Sequence, residues 1–278
     1  MAALLTPTPL ILSADDYAQA EAIDYGILNL IRMGRLTATS CLTLSPRWPE
    51  AAAALTPDIR QQADIGLHLD FTQFSRPVRH SHPQLLMHSM LQLLDEHQVR
   101  ATIALQLDAF EQAMDSAPDY VDGHQHVHQL PQIRSALLAE LQSRYAGNLP
   151  WIRLSHPMHD GWKGRVISTL GSSAMQKLAA SYGFSLTDGL LGVYGFDRTA
   201  DEYLGQLGRW LEIAVDQAQH GHRSALMCHP GLTTQDAADP ISQARPVEYA
   251  VLAGSDFDEL MRKLNIQPVK GSCLFQQS

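Results

Sequence analysis

Asp122-Gly123-His124-Gln125-His126-Val127-His128 sets three imidazoles two residues apart. In an extended backbone, side chains at i and i+2 share a face. His124, His126 and His128 are therefore expected on one side, with Asp122 two positions ahead of them. Neutral imidazole is the commonest ligand for zinc and its neighbours, and a carboxylate completes such sites. A surface histidine cluster is the plainer alternative. It loses weight here because three other segments carry partners for this one.

Leu10-Ile11-Leu12 reads as a buried strand that runs into Ser13-Ala14-Asp15-Asp16-Tyr17. Two adjacent carboxylates repel, and one of them takes up a proton unless a cation lies between. A divalent ion would resolve this, with one Asp ligating and the other left as a base. The competing reading makes Asp15 or Asp16 the N-cap of a helix running from Gln19 to Met33. In Asp64-Ile65-Gly66-Leu67-His68-Leu69-Asp70 the apolar residues alternate, so His68 lies on the face opposite the leucines, either in solvent or in a cleft. Ser224-Ala225-Leu226-Met227-Cys228-His229-Pro230-Gly231 is an apolar strand that Pro-Gly must stop, which leaves His229 at its end.

The elements that position these residues follow a regular order. Strands are predicted at Leu10–Ser13, Ala38–Leu44, Ile65–Leu69, Tyr120–Asp122, Trp151–Leu154, Leu190–Val193 and Ala225–His229. Helical patterns lie between them at Glu50–Leu55, Pro83–Asp115 (as two helices), Gln132–Arg144, Arg165–Tyr182 and Ala200–His220. Alternating strands and helices imply a parallel sheet with helices outside. About seven strands in one stretch of this length imply an α/β fold, a TIM-like (β/α) barrel with some distortion, in which functional residues gather at the C-terminal strand ends. A doubly wound open sheet is the alternative and uses the same edge. No linker or repeat divides the chain, so residues 1–278 are expected to form a single domain.

The formal net charge of −9 and the lack of a basic run argue against a nucleic-acid partner. Cys41, Cys228 and Cys273 are far apart and show no CxxC pair, which argues against a disulfide framework; Cys41 and Cys228 are expected in the core. No apolar run approaches the ~20 residues that span a bilayer, and no signal peptide is apparent, so a cytoplasmic protein is expected. The apolar stripes of the outer helices leave a homodimer open. Tyr194 and Phe196 can stack on a sugar ring or pack in a loop. His80, His82, His156 and His159 are expected in exposed loops.

The four segments resemble, in order, motifs of the YdjC-like (ChbG/HpnK) carbohydrate deacetylases: Ser13–Tyr17, Gly66–Asp70, Val121–His128 and Met227–Gly231. The resemblance implies a TIM-like barrel and a metal-dependent hydrolase that removes the acetyl group from an N-acetylated sugar or oligosaccharide. It implies one divalent ion, Zn²⁺ or Mg²⁺, held by Asp16, His68 and His124, with Asp15 as catalytic base and His229 as a second catalytic group. The chain departs from the family pattern at Ser13 (usually Asn), Tyr17 (Phe), Ala18 (Gly) and Asp70 (Asn), which leaves the sugar open. The expected chemistry is metal-assisted amide hydrolysis, with His229 protonating the leaving amine and His126 or His128 as alternative donors. A metal-dependent phosphoesterase and a non-catalytic metal- or saccharide-binding protein are the rivals. The free aspartate beside the ligating one favours the enzyme.

Overall fold

The computed structural model describes residues 6–156, 162–234 and 239–275, with the backbone alone over 162–170. In chain order the elements are β1 (Thr8–Tyr17), α1 (Glu21–Arg32), β2 (Ala38–Cys41), α2 (Trp48–Ala53), α3 (Pro57–Gln62), β3 (Asp64–Leu69), α4 (His82–Met90), α5 (Glu96–Met114), β4 (Tyr120–Gly123), α6 (Pro131–Tyr145), β5 (Trp151–Ile152) and α7 (Trp162–Ser181). They continue with β6 (Gly189–Leu191), α8 (Ala200–Gln219), β7 (Ser224–Cys228), α9 (Ala244–Ala253), α10 (Ser255–Lys263), β8 (Ile266–Pro268) and α11 (Gly271–Phe275). The strands pair in parallel in the order β5-β4-β3-β2-β1-β7-β6, and β8 joins the start of β1. This is the distorted TIM-like barrel expected from the sequence. Among the described residues its edges meet through an Ile152–Leu186 bridge and a hydrogen bond from Leu190 N to the His156 carbonyl. Among the described residues no helix is long and apolar enough to cross a membrane.

Period-two alternation sorts each strand into two environments. Leu10, Leu12 and Ala14 of β1, Ile65, Leu67 and Leu69 of β3, Val121 of β4, and Leu226 and Cys228 of β7 face outward into the core shared with the helices. The alternate positions Ile11, Ala38, Tyr120, Trp151, Leu190, Ala225 and Met227 form a separate apolar cluster inside the barrel. Tyr120 stacks on Trp151 at 4.3 Å, and Gly66 leaves room for the Tyr120 ring, since a Cβ there would lie 2.5 Å from it. Leu274 and Phe275 of α11 pack against this floor from below.

One step further along β1 to β4, and just past β5, the inward residues turn polar: Ser13, Ser40, His68, Asp122 and Arg153, all fully or almost fully buried. The barrel therefore has an apolar plug at its N-terminal end and a charged layer beneath its C-terminal mouth. That polarity follows from the strand sequences, read two residues at a time.

Several expectations need correction. Three helices at the C-terminal end (α9, α10 and α11), the short α3, and the strand β8 were not anticipated. Neither aspartate caps α1, whose N-cap is Ala20 with no side-chain capping bond. His124, His126 and His128 do not share an extended face. Strand β4 ends at Gly123, and residues His124–Gln129 form a 3₁₀ turn in which Gln125 and His126 adopt left-handed φ of 52° and 61°. Of the histidines expected in exposed loops, His80, His82 and His156 are half-buried, and His159 lies outside the described residues.

Candidate metal centre and active-site cleft

Adjacent residues of a regular strand point to opposite faces, so Asp15 and Asp16 could not both reach one cleft. The pairing of β1 with β2 shifts register between Ala14 and Tyr17, a β-bulge with Asp16 at φ +68°. A bulge inserts one residue and re-aims a side chain, often beside an active site. Here it turns both carboxylates into the barrel mouth. Ala18, where the family resemblance has Gly, also sits at a left-handed φ of +74°.

Asp16 Oδ1 lies 3.0 Å from His124 Nδ1 and 3.4 Å from His68 Nε2. One donor atom from each of the three falls within 4.8 Å of the other two. His68 Nδ1 is 2.6 Å from Asp122 Oδ1 and 3.0 Å from Ser40 Oγ. Carboxylate support at one ring nitrogen, with the other directed into the site, is the arrangement that orients metal-ligating histidines. Two imidazoles and a carboxylate thus fit a divalent ion in donor type and in spacing. Burial opposes the charged form of His68, but Asp122 and Asp15 outweigh it and push the ring up to about 10. A cation must therefore compete with a proton at Nε2.

Asp15 has a different partner. Arg153, fully buried, grips it with two bonds, Nη1 to Oδ1 at 2.5 Å and Nη2 to Oδ2 at 2.7 Å. The same guanidinium lies 2.9 Å from Asp122 Oδ2 and donates to Ser13 Oγ at 3.0 Å. Burial alone would raise the Asp15 carboxyl; Arg153, with help from His68 and His229, brings it down to about 2. His229 Nε2 stands 3.9 Å from Asp15 Oδ2. On the far side Arg245 donates to Asp16 Oδ2 at 2.8 Å and to Asp239 Oδ2 at 2.6 Å. Burial pulls Asp16 up, but Arg245 and the two histidines hold it well below the usual carboxylate range.

Strand-end reasoning placed Asp15, Asp16, His68, His124 and His229 together, and the structure brings all five to one cleft of about 430 Å³. His126 also lines this cleft, whereas His128 lies apart from it. His126 Nδ1 lies 2.8 Å from Ser155 Oγ, and His128 Nε2 lies 3.1 Å from the Arg153 carbonyl oxygen, buried behind the site. Burial, chiefly, with Arg153 contributing, holds both below the ordinary histidine range.

Arg153, Arg245 and His82 were missed. Arg153 could have been read from the predicted strand, because residue 153 must share the inward face of Trp151. Arg245 could not, since α9 itself was missed. His82 lines the cleft from the start of α4.

The departures from the family motifs also acquire roles. Tyr17 points away from the cleft and donates to the Ala51 carbonyl at 2.8 Å. Asp70 accepts four backbone N–H groups, from Thr72, Gln73, Phe74 and Ser75, and so shapes the loop that brings Thr72 and Gln73 to the cleft. Val193, Tyr194 and Phe196 line the opposite wall.

Gly192 holds that wall in place. Its φ is +98°, and a Cβ there would sit 2.0 Å from the Met227 carbonyl oxygen of β7. Gly192→Ala is expected to lose about 1–3 kcal/mol from backbone strain alone and to displace the wall. Urea unfolding, read together with substrate KM, checks this; unchanged values for both would refute it.

The chain is 28% identical over 254 residues to the carbohydrate deacetylase of Mus musculus, covering 80% of this chain and 77% of that one. It is 25% identical over 232 residues to the chitooligosaccharide deacetylase of Escherichia fergusonii, covering 80% and 81%. A solved structure from Enterococcus faecalis, provisionally described as a cellobiose-phosphate cleavage protein, superposes with a TM-score of 0.75 at 18% identity, over 97% of this chain and 99% of that one. At that identity the likeness speaks for the fold. The family model described as YdjC-like protein matches residues 9–263, and the chain belongs to that family.

Proposed function

We propose that this protein is a metal-dependent carbohydrate deacetylase that hydrolyses the N-acetyl amide of an N-acetylated sugar or oligosaccharide. The observation that carries this is the division of labour between the two aspartates. Asp16 lies among imidazole nitrogens, and Asp15, one residue away, is held by Arg153 and stands 3.9 Å from His229 and 4.0 Å from His68. A carboxylate beside the ligating one, within reach of His229, suits a proton acceptor. The deacetylase names of the relatives support the same reading.

Asp16, His68 and His124 would hold the divalent ion. Mixed nitrogen and oxygen donors suit zinc and its first-row neighbours better than magnesium. When bound, the ion supplies Lewis acidity to the acetyl carbonyl and to water. Asp15 takes the proton of the attacking water. A carboxylate held near 2 is a weak base toward free water, so it works only where that water is already acidified. His229, on the other side of Asp15, delivers a proton to the amine nitrogen as the C–N bond breaks. His126 and His128, held below the ordinary histidine range by burial, are the poorer donors.

The phosphoesterase alternative often uses two metals. Asp15, His68 and Asp122 do form a second carboxylate–histidine group. Its carboxylates are already engaged by the Arg153 guanidinium, so a fixed protein cation stands in for a second ion.

Acetate release from N-acetylglucosamine oligomers, with and without chelator and with Zn²⁺ or Mg²⁺ restored, tests the proposal. Metal-dependent acetate is expected; its absence from a metal-loaded protein would redirect the search to another acylated substrate. His68→Ala and His124→Ala are each expected to cut metal content of the purified protein to a small fraction. Metal analysis showing wild-type content in either variant would refute the ligand set.

A further inference from the structure

A general acid needs its ring held in one orientation, and the usual device is a hydrogen bond to the second ring nitrogen. His229 lacks it: its buried Nδ1 has no hydrogen-bond partner among the described residues. The ring is located by other means. The His229 backbone N–H donates to Glu248 Oε2 at 2.6 Å, and its carbonyl accepts from Arg245 Nη1 at 3.4 Å. Both donor and acceptor sit on α9, one turn apart. The Phe196 ring meets the imidazole edge to face at 5.1 Å.

Glu248 is fully buried, and its other oxygen, Oε1, accepts from the Tyr194 hydroxyl at 2.7 Å. Tyr194 in turn packs against Phe196, with centroids 4.7 Å apart. One carboxylate thus ties the end of β7, which carries His229, to the loop after β6, which carries the aromatic wall. Phe196 itself has a left-handed φ of +60°, a strained conformation for an aromatic residue that persists only when its surroundings enforce it.

We propose that Glu248 is a positioning residue that sets His229 and the Tyr194–Phe196 wall at a fixed distance from each other, taking the place of the orienting bond that His229 Nδ1 lacks. The kinetic consequence rests on the deacetylase reading; the mechanical one does not. Glu248→Ala frees both sides, Tyr194→Phe frees only the wall, and Glu248→Gln keeps an oxygen for the His229 amide and an NH₂ for the Tyr194 oxygen.

The test combines steady-state acetate release from N-acetylglucosamine oligomers with amide hydrogen exchange at His229, on zinc-loaded protein below its unfolding transition. Glu248→Ala is expected to lower kcat by about 10²-fold, the scale that a ~1 Å misplacement costs, and to speed exchange at the His229 amide. Glu248→Gln is expected to recover most of both. Tyr194→Phe should raise KM more than it lowers kcat. Unchanged kcat and unchanged His229 exchange in Glu248→Ala would overturn the proposal, as would a Gln variant whose kcat falls as far as that of Ala while exchange stays slow. If Glu248→Ala does not fold, the contrast between Glu248→Gln and Tyr194→Phe decides: a kcat loss in Tyr194→Phe with KM unchanged overturns it. If wild-type protein releases no acetate, the choice of substrate fails rather than the role of Glu248, and His229 exchange alone decides that role.

Discussion

Asp15→Asn is expected to reduce acetate turnover by about 10²- to 10⁴-fold, the range spanned by general acid–base catalysis, while the protein keeps its metal. The amide is nearly the same size as the carboxylate and removes the proton acceptor together with its charge. Asp16, His68 and His124 do not depend on Asp15 for their mutual geometry: the contacts among them run through Asp16 Oδ1, and the support of His68 comes from Asp122. The substitution does disturb Arg153, which loses one of its two buried carboxylate partners and retains Asp122. Some loss of stability is therefore expected alongside the loss of turnover. Kinetics are to be read below the unfolding transition, with metal content measured on the same sample. Retained turnover would remove Asp15 as the base; lost turnover together with lost metal would place Asp15 in the ligand set instead.

Arg153→Leu is expected to have the largest effect on stability, about 3–5 kcal/mol, the usual cost of breaking a buried ion pair by removing one partner. Two carboxylates, Asp15 and Asp122, would lose their shared cation inside the barrel. The pH dependence gives a sharper signature than the size of the loss. In the wild-type protein Asp15 is depressed to about 2 against an ordinary value of 3.8. Its contribution to stability is then fully present above 3.8 and is lost as pH falls toward 2. Without Arg153, burial, the largest influence on Asp15, is opposed only by His68 and His229, and the folded-state value is expected to rise above 3.8, so that the folded state binds the proton more tightly than the unfolded chain. The variant must then regain stability, relative to wild type, as pH falls from 7 toward 4. Urea unfolding of both proteins in the presence of chelator, at pH 7 and pH 5, measures this difference. A gap between the two proteins that stays constant with pH would refute the account of Arg153 as the cation that keeps Asp15 ionised.

Much of the architecture was legible locally because its cause is local. Alternation of apolar residues with His68, or of Ile11 with Leu12, is a property of a few consecutive residues. A sheet covered on both faces turns that alternation into an inside and an outside. Strand ends were readable for a similar reason, as at His229, where Pro230 and Gly231 stop the ladder. The barrel and the five residues at its mouth follow from such patterns, with the family resemblance supplying roles that spacing left open.

What the tertiary structure alone decided depends on contacts between residues far apart in the chain, and on backbone conformations that residue type does not announce. The histidine triplet looked like a strand, yet left-handed residues at Gln125 and His126 coil it, so that His124 reaches Asp16 and His128 is buried behind Arg153. The paired aspartates face one cleft only because a bulge at Asp16 breaks the alternation. Arg153 and Arg245 meet their carboxylates across sequence separations of 138 and 229 residues. Pattern over a short window determines which face a side chain occupies. Which charge neutralises which is settled only when the closed sheet excludes water and every buried ion must find a partner, however distant in sequence.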